Sequence, residues 1–274
     1  MSKKLPLSDF RAVRHKLEPH EFAISEGQDI APTHLVGEET WAGITHLPDD
    51  CAIRISDHNG HRLELLYSLW GDWITATGDP EKADELFDRM LDAGDALQCA
   101  NFLFLHGYYR AAMAELRVVL ELTMIGAYGN LKPDDSDYVV WKMSGSELGF
   151  TRFRRRMHGL LRSEQSKWLL ADGEFPDNTF QQLCNFTHSR PNSSDGALWE
   201  SNGPVYNHEA VMHTFFTIIS VYAICYLLIR VARPDFVLPP DSRILFEEDW
   251  VPNRAGLAKA FEQLYREPAA ACAQ

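Results

Sequence analysis

The spacing of apolar residues along this chain changes character twice. Between Trp41 and Ile74 they recur every second position in two runs, Cys-Ala-Ile-Arg-Ile-Ser at 51–56 and His-Arg-Leu-Glu-Leu-Leu-Tyr-Ser-Leu-Trp at 61–70. Side chains on a strand point alternately to opposite faces, so this period predicts two strands. Asp57-His58-Asn59-Gly60 separates them, and Asn59-Gly60 accepts the positive φ of a tight turn. The expectation is a small antiparallel β element within an N-terminal segment, residues 1–78.

Beyond Thr77 the period lengthens towards that of a helix. Asp79 can cap and Pro80 can occupy the first helical position, where its missing N–H costs nothing. One helix is predicted from there to about 93 and another over about 96–127, with Leu116, Val119, Leu120 and Thr123 on one face. Gly126, Gly129 and Asn130 can end it. After a loop at 132–137, helices are predicted over about 144–170 and 179–189. A polar loop at 190–196 leads to a long apolar helix that Arg233-Pro234 ends, and a short helix follows at about 254–265. The fold class is therefore read as α+β, mainly α: the N-terminal β element, then a five- to six-helix domain over residues 79–274.

The long apolar helix matters most. Residues 211–229 form a run of nineteen without a formal charge. Such a length just reaches across a bilayer. Yet His213, Thr214, Thr217 and Ser220 recur at three- and four-residue steps, giving one polar seam rather than a uniformly apolar cylinder. That favours the core helix of a soluble protein over a span, so no membrane is expected.

Composition adds bounds. With 45% hydrophobic residues, 15 Phe, 9 Tyr and 7 Trp, 274 residues can build a substantial core. The formal charge is −13, and an acidic surface repels nucleic-acid backbones. Charge is uneven, however: residues 1–100 carry 19 acidic against 9 basic side chains, and 144–170 carry 2 against 6. Five scattered cysteines without CxxC spacing read as free thiols, and the N-terminus lacks the apolar run of a secretory signal; both point to the cytoplasm.

The basic segment holds the densest candidate chemistry, Arg152, Arg154, Arg155, Arg156 and His158. A helix would bring Arg154 and Arg155 onto faces next to His158. His158 as general base beside Arg152 and Arg155 would be a catalytic set, with Arg154 and Arg156 holding phosphate by paired N–H bonds. The same residues equally describe a basic helix face that pairs with the protein's own carboxylates. A second candidate is Asn185, His188 and Arg190 at a helix end, where the helix dipole favours an imidazolium; the plain alternative is capping of the last carbonyls. Trp199 and Tyr206, beside Gly203-Pro204, can line a pocket mouth. His208 and His213 approximate a zinc-binding helix, but five-residue spacing separates them by about 140°, against about 40° for true ligands four apart. No metal or cofactor is expected. Glycine-rich phosphate loops and the GxSxG elbow are absent.

The long helix from Tyr108, the short helix ending Phe-Thr-His188-Ser and the further helix after the loop together resemble the bacterial HEPN-like helical domains of abortive-infection and toxin–antitoxin proteins. That resemblance covers less than half of the chain. It implies a helical homodimer, a role in stress or phage defence and, in nuclease members, an arginine that precedes a histidine with four to six residues between them, for RNA cleavage. Here Gln181 and Gln182 occupy the expected arginine positions before His188; Arg152 and His158 have the spacing but lie in another helix. The primary expectation is a non-catalytic helical protein acting through a protein or small-ligand partner. The alternatives are a metal-independent RNase, with RNA as substrate, and a membrane-attached protein.

Overall fold

The structure, a computed structural model, describes residues 38–77, 84–144, 150–161, 164–187 and 204–237, with 256, 258–260 and 262. Eight helices are found among them and no strand: α1 (Glu38–Thr77), α2 (Glu85–Leu105), α3 (Tyr109–Leu131), α4 (Ser136–Ser144), α5 (Phe150–Leu160), α6 (Glu164–Leu170), α7 (Phe175–Thr187) and α8 (His208–Ala232). Contacts divide the chain into Met1–Thr45 and His46–Gln274, and the packing below belongs to the second unit.

The expected β element is overturned, and with it the α+β class: residues 51–56 and 61–70 lie in α1. Positions i and i+4 share a face in a strand and in a helix alike, so the alternation did not discriminate. Cys51 and Ile55 are buried as a helical pair, whereas Ile53, which a strand would place beside them, is exposed. Leu66, Leu69 and Trp73 continue the buried stripe at helical steps. The Asn59-Gly60 signal became a kink instead of a hairpin. Asn59 sits at φ −138°, ψ 24°, is buried, and its Oδ1 accepts from Arg62 Nη1 at 2.7 Å.

Other boundaries shifted as well. Asp79 and Pro80 lie outside the described residues; the cap observed on α2 is Asp84, whose carboxylate accepts from Phe87 N at 2.9 Å. The helix expected over 96–127 is broken at Gly107, whose φ of +79° is easily reached only without a side chain. A Cβ there would stand 2.9 Å from Cys51 Sγ, so the break also seats α1 against the α2–α3 turn. The helix expected over 144–170 contains two described helices, α5 and α6. The described residues among 256–262 are helical, within the span where the last helix was expected.

Helix α3 is the hub, packed against α2, α5, α7 and α8. Small residues let its neighbours approach: a Cβ at Gly126 would meet Arg89 Cβ at 2.8 Å, and one at Gly129 would enter the Tyr138 ring at 2.3 Å. Across the α3–α8 contact the Thr123 hydroxyl bonds the Val119 carbonyl at 2.8 Å and lies 3.3 Å from Cys225 Sγ. Burial pushes that thiol's pKa up to about 12, so it stays protonated. Trp73 of α1 closes the other side of α8, with ring centroids 6.0 Å from Tyr222 and 5.9 Å from Tyr226. Arg233, just past α8, reaches Asp84 at 2.7 Å, and Asn130 Nδ2 donates to the Ala232 carbonyl at 3.3 Å. Apolar burial and end-capping thus fix α8 on three sides.

Two glycines test this packing. Gly129→Ala should lose about 1–3 kcal/mol of stability, because the added methyl overlaps the Tyr138 ring. Gly159→Ala, in α5 with nothing within 4 Å of the new Cβ, should gain up to about 1 kcal/mol from helix propensity. Urea unfolding of both variants reads the difference.

Candidate functional site

The arginine cluster on α5 is already committed to carboxylates. Arg154 is buried (1% exposed). It donates to the Leu170 carbonyl at 2.7 Å, pairs with Asp172 and stands 3.3 Å from Asp177 Oδ1. Asp177 in turn accepts from Gly173 N at 2.8 Å. Arg156 pairs with Asp135 at 2.7 Å and with Asp137, which also takes Arg152. Arg155 is exposed and only 3.8 Å from Asp172. These contacts tie α5 to the start of α4 on one side and to the α6–α7 turn on the other.

The electrostatics match. The Arg154 guanidinium, hydrogen-bonded to Asp172, holds that carboxyl below its ordinary pKa, with smaller help from Arg155 and His158. Burial works against Asp135, yet the Tyr128 hydroxyl, the N–H groups of Tyr138 and Asp137, and Arg156 together leave its pKa lowered. Asp135 also caps α4, its Oδ1 accepting from Asp137 N at 3.0 Å. Of the expected catalytic set, Arg152, Arg155 and His158 share α5, with His158 half-buried near its end. His188, Arg190 and Trp199 lie outside the described residues. Asn185 is half-buried on α7, and Tyr206 sets its ring 5.7 Å from that of His58.

A second feature uses the polar seam of α8. A cleft of about 340 Å³ lies between α7 and α8 and is bounded by Gly256. Its wall on α7 is Phe175, Asn178, Thr179 and Gln182; on α8 it is His213, Phe216, Thr217 and Ser220. Both sets follow the spacing i, i+3, i+4, i+7, one helix stripe each. Neither contains an Asp, Glu, Lys or Arg. The hydroxyls of Thr179, Thr217 and Ser220 each donate to the carbonyl four residues back, at 2.8, 2.8 and 2.7 Å. Their oxygen lone pairs remain as acceptors, while Asn178 gives one amide N–H to the Gly173 carbonyl at 2.7 Å.

The sequence pattern showed His213, Thr217 and Ser220 as part of a polar seam, with the buried Thr214, but not as a cleft wall, and it missed the α7 side. The signal was present in the 175–178–179–182 stripe, but Phe175 and Asn178 fell before the expected helix start at 179. The carboxylate partners of α5 were missed for a different reason. Asp135, Asp137, Asp172 and Asp177 are 15 to 23 residues from the arginines they meet, and no local spacing encodes such pairs.

Among the described residues no group of three His, Cys, Asp or Glu is placed to hold a metal ion. No family model, curated protein or solved structure matches the chain.

Two predictions follow the ion pairs. Arg154→Ala should cost about 3–5 kcal/mol in urea unfolding, since it strands the buried Asp177 carboxylate, whereas exposed Arg155→Ala should stay within about 0.5 kcal/mol of the parent. The lowered Asp135 pKa contributes stability that is full above the unfolded-state value and lost as pH falls through the folded one. Asp135→Asn should therefore flatten the fall of the urea midpoint with acidification below the ordinary aspartate range.

Proposed function

We propose that this is a soluble, non-catalytic helical protein that works by binding a small uncharged ligand in the cleft between α7 and α8. One observation carries the reading: two facing helix stripes of identical spacing supply hydroxyl, amide and imidazole groups and two phenyl rings, with no formal charge. The volume falls within the range of about 300–1,000 Å³ typical of small-molecule sites. Phe175 and Phe216 suit a flat apolar face, and Asn178, Gln182, Thr179, Thr217 and Ser220 suit the polar edge of the same molecule. A neutral heteroaromatic compound has both.

The ion pairs of α5 support a binding role over RNA cleavage. A phosphate approaching Arg152, Arg154 or Arg156 would have to displace carboxylates already in contact. For α8, 78% of its most apolar 18-residue window is buried inside the protein, which supports a core helix over a membrane span.

The test is a thermal-shift series with free nucleobases and neutral aromatic amides set against their phosphorylated or carboxylated analogues. The neutral compounds should raise Tm, and Ser220→Phe, which fills the cleft, should abolish the shift while Arg155→Ala leaves it intact. The reading fails if the anionic analogues bind as well and lose binding with Arg155→Ala. It also fails if the protein cleaves RNA in a manner abolished by His158→Ala.

A further inference from the structure

The α7–α8 cleft has a hydrogen-bond polarity, and it is one-sided. A hydroxyl bonded to a carbonyl must be the donor, because the carbonyl oxygen carries no hydrogen. The Thr179 hydroxyl gives its proton to the Phe175 carbonyl at 2.8 Å, Thr217 to the His213 carbonyl at 2.8 Å and Ser220 to the Phe216 carbonyl at 2.7 Å. A hydroxyl holds a single hydrogen, so each of these oxygens meets a ligand with lone pairs only. Asn178 leans the same way. One of its amide hydrogens goes to the Gly173 carbonyl at 2.7 Å, which leaves one hydrogen and the carbonyl oxygen. Gln182 and His213 can each donate or accept.

Two physical effects turn this polarity into selection. A ligand that offers only acceptors gains nothing from the three hydroxyls, since turning a proton towards it breaks a bond of equal quality within the helix. A ligand N–H adds a bond and breaks none. The hydroxyl-bearing residues are also largely screened from water, with Thr179 6%, Thr217 9% and Ser220 8% exposed. Under an acceptor-only ligand their lone pairs lose water and gain no replacement. Positive charge does not substitute for a neutral donor. An amidinium would also donate, but none of the described residues lining the cleft is an Asp or Glu that could offset its desolvation.

We infer that the cleft selects ligands by a neutral, hydrogen-donating edge, an amino group or primary amide on an aromatic ring, with Thr179, Thr217 and Ser220 as the specificity-determining residues. This rests on ligand binding in the cleft as proposed above, and adds which face of the ligand is read. Phe175 and Phe216 take the flat body, and the hydroxyl oxygens read the edge.

The test uses matched compounds that keep their shape and change one group. Benzamide and acetophenone differ by an amino against a methyl group, as do adenine and 6-methylpurine. Benzamidine keeps the donors of benzamide and adds a positive charge. Dissociation constants are read by NMR titration of the protein, with circular dichroism confirming that each variant is folded. Benzamide should bind about tenfold tighter than acetophenone, and adenine about tenfold tighter than 6-methylpurine. Benzamidine should bind more weakly than benzamide. The paired change Thr217→Val with Ser220→Ala removes two acceptors at nearly constant shape. It should bring each pair within about twofold by weakening the donor compound alone. Equal binding within each pair, with all binding lost in Ser220→Phe, would overturn donor selection and leave the cleft reading standing. A preference for benzamidine, or a ratio unchanged by the paired variant, would overturn it too. Failure of every compound to bind, or binding that survives Ser220→Phe, would remove the cleft reading itself and this inference with it.

Discussion

Enclosing α8 is the constraint on which the rest of the structure depends. Eighteen of its residues are buried, and a helix apolar on nearly every side must be surrounded by protein or by lipid. Here protein supplies the surroundings. Helix α3 lies along one side, Trp73 of α1 reaches Tyr222 and Tyr226, and α2, α6 and α7 complete the ring. Where the enclosure meets the polar seam it opens, and that opening is the α7–α8 cleft. The candidate site is thus a consequence of how one helix is buried.

Ion pairs have a different role. They hold the smaller helices around α3. Arg154 is the strongest case, a buried cation whose partners are Asp172, Asp177 and the Leu170 carbonyl. Such a group is costly to bury and costly to leave unpaired, so it fixes α5 in one orientation against the α6–α7 turn. Glu85 does the same on the other flank, accepting from the Tyr138 hydroxyl at 2.6 Å and pairing with Lys142.

The sequence pattern made the helical domain legible because amphipathic periods and end signals are local. The apolar run 211–229 was read as a helix ended by Arg233-Pro234, and α8 contains it; of its polar seam His213, Thr214, Thr217 and Ser220, all but the buried Thr214 line the cleft. The β element was misread because apolar residues at 51, 53 and 55 satisfy a strand fully and a helix at two of three positions. Only the exposure of Ile53 separates the two, and exposure is a tertiary property. The fate of the arginines was equally hidden: a basic run looks the same whether it meets phosphate or the chain's own aspartates. The Gly107 break was overlooked because Tyr108 and Tyr109 continue an apolar pattern across it.

The most direct test of this account is amide hydrogen exchange, followed by mass spectrometry, on protein purified without detergent. If α8 is the enclosed core helix of a soluble protein, residues 214–229 and the α3 segment around Thr123 should exchange slowest of all, and together, at the global unfolding free energy. Rapid exchange in α8 while α3 stays protected would contradict it, as would a protein recoverable only in detergent, because α8 would then need lipid for its surroundings.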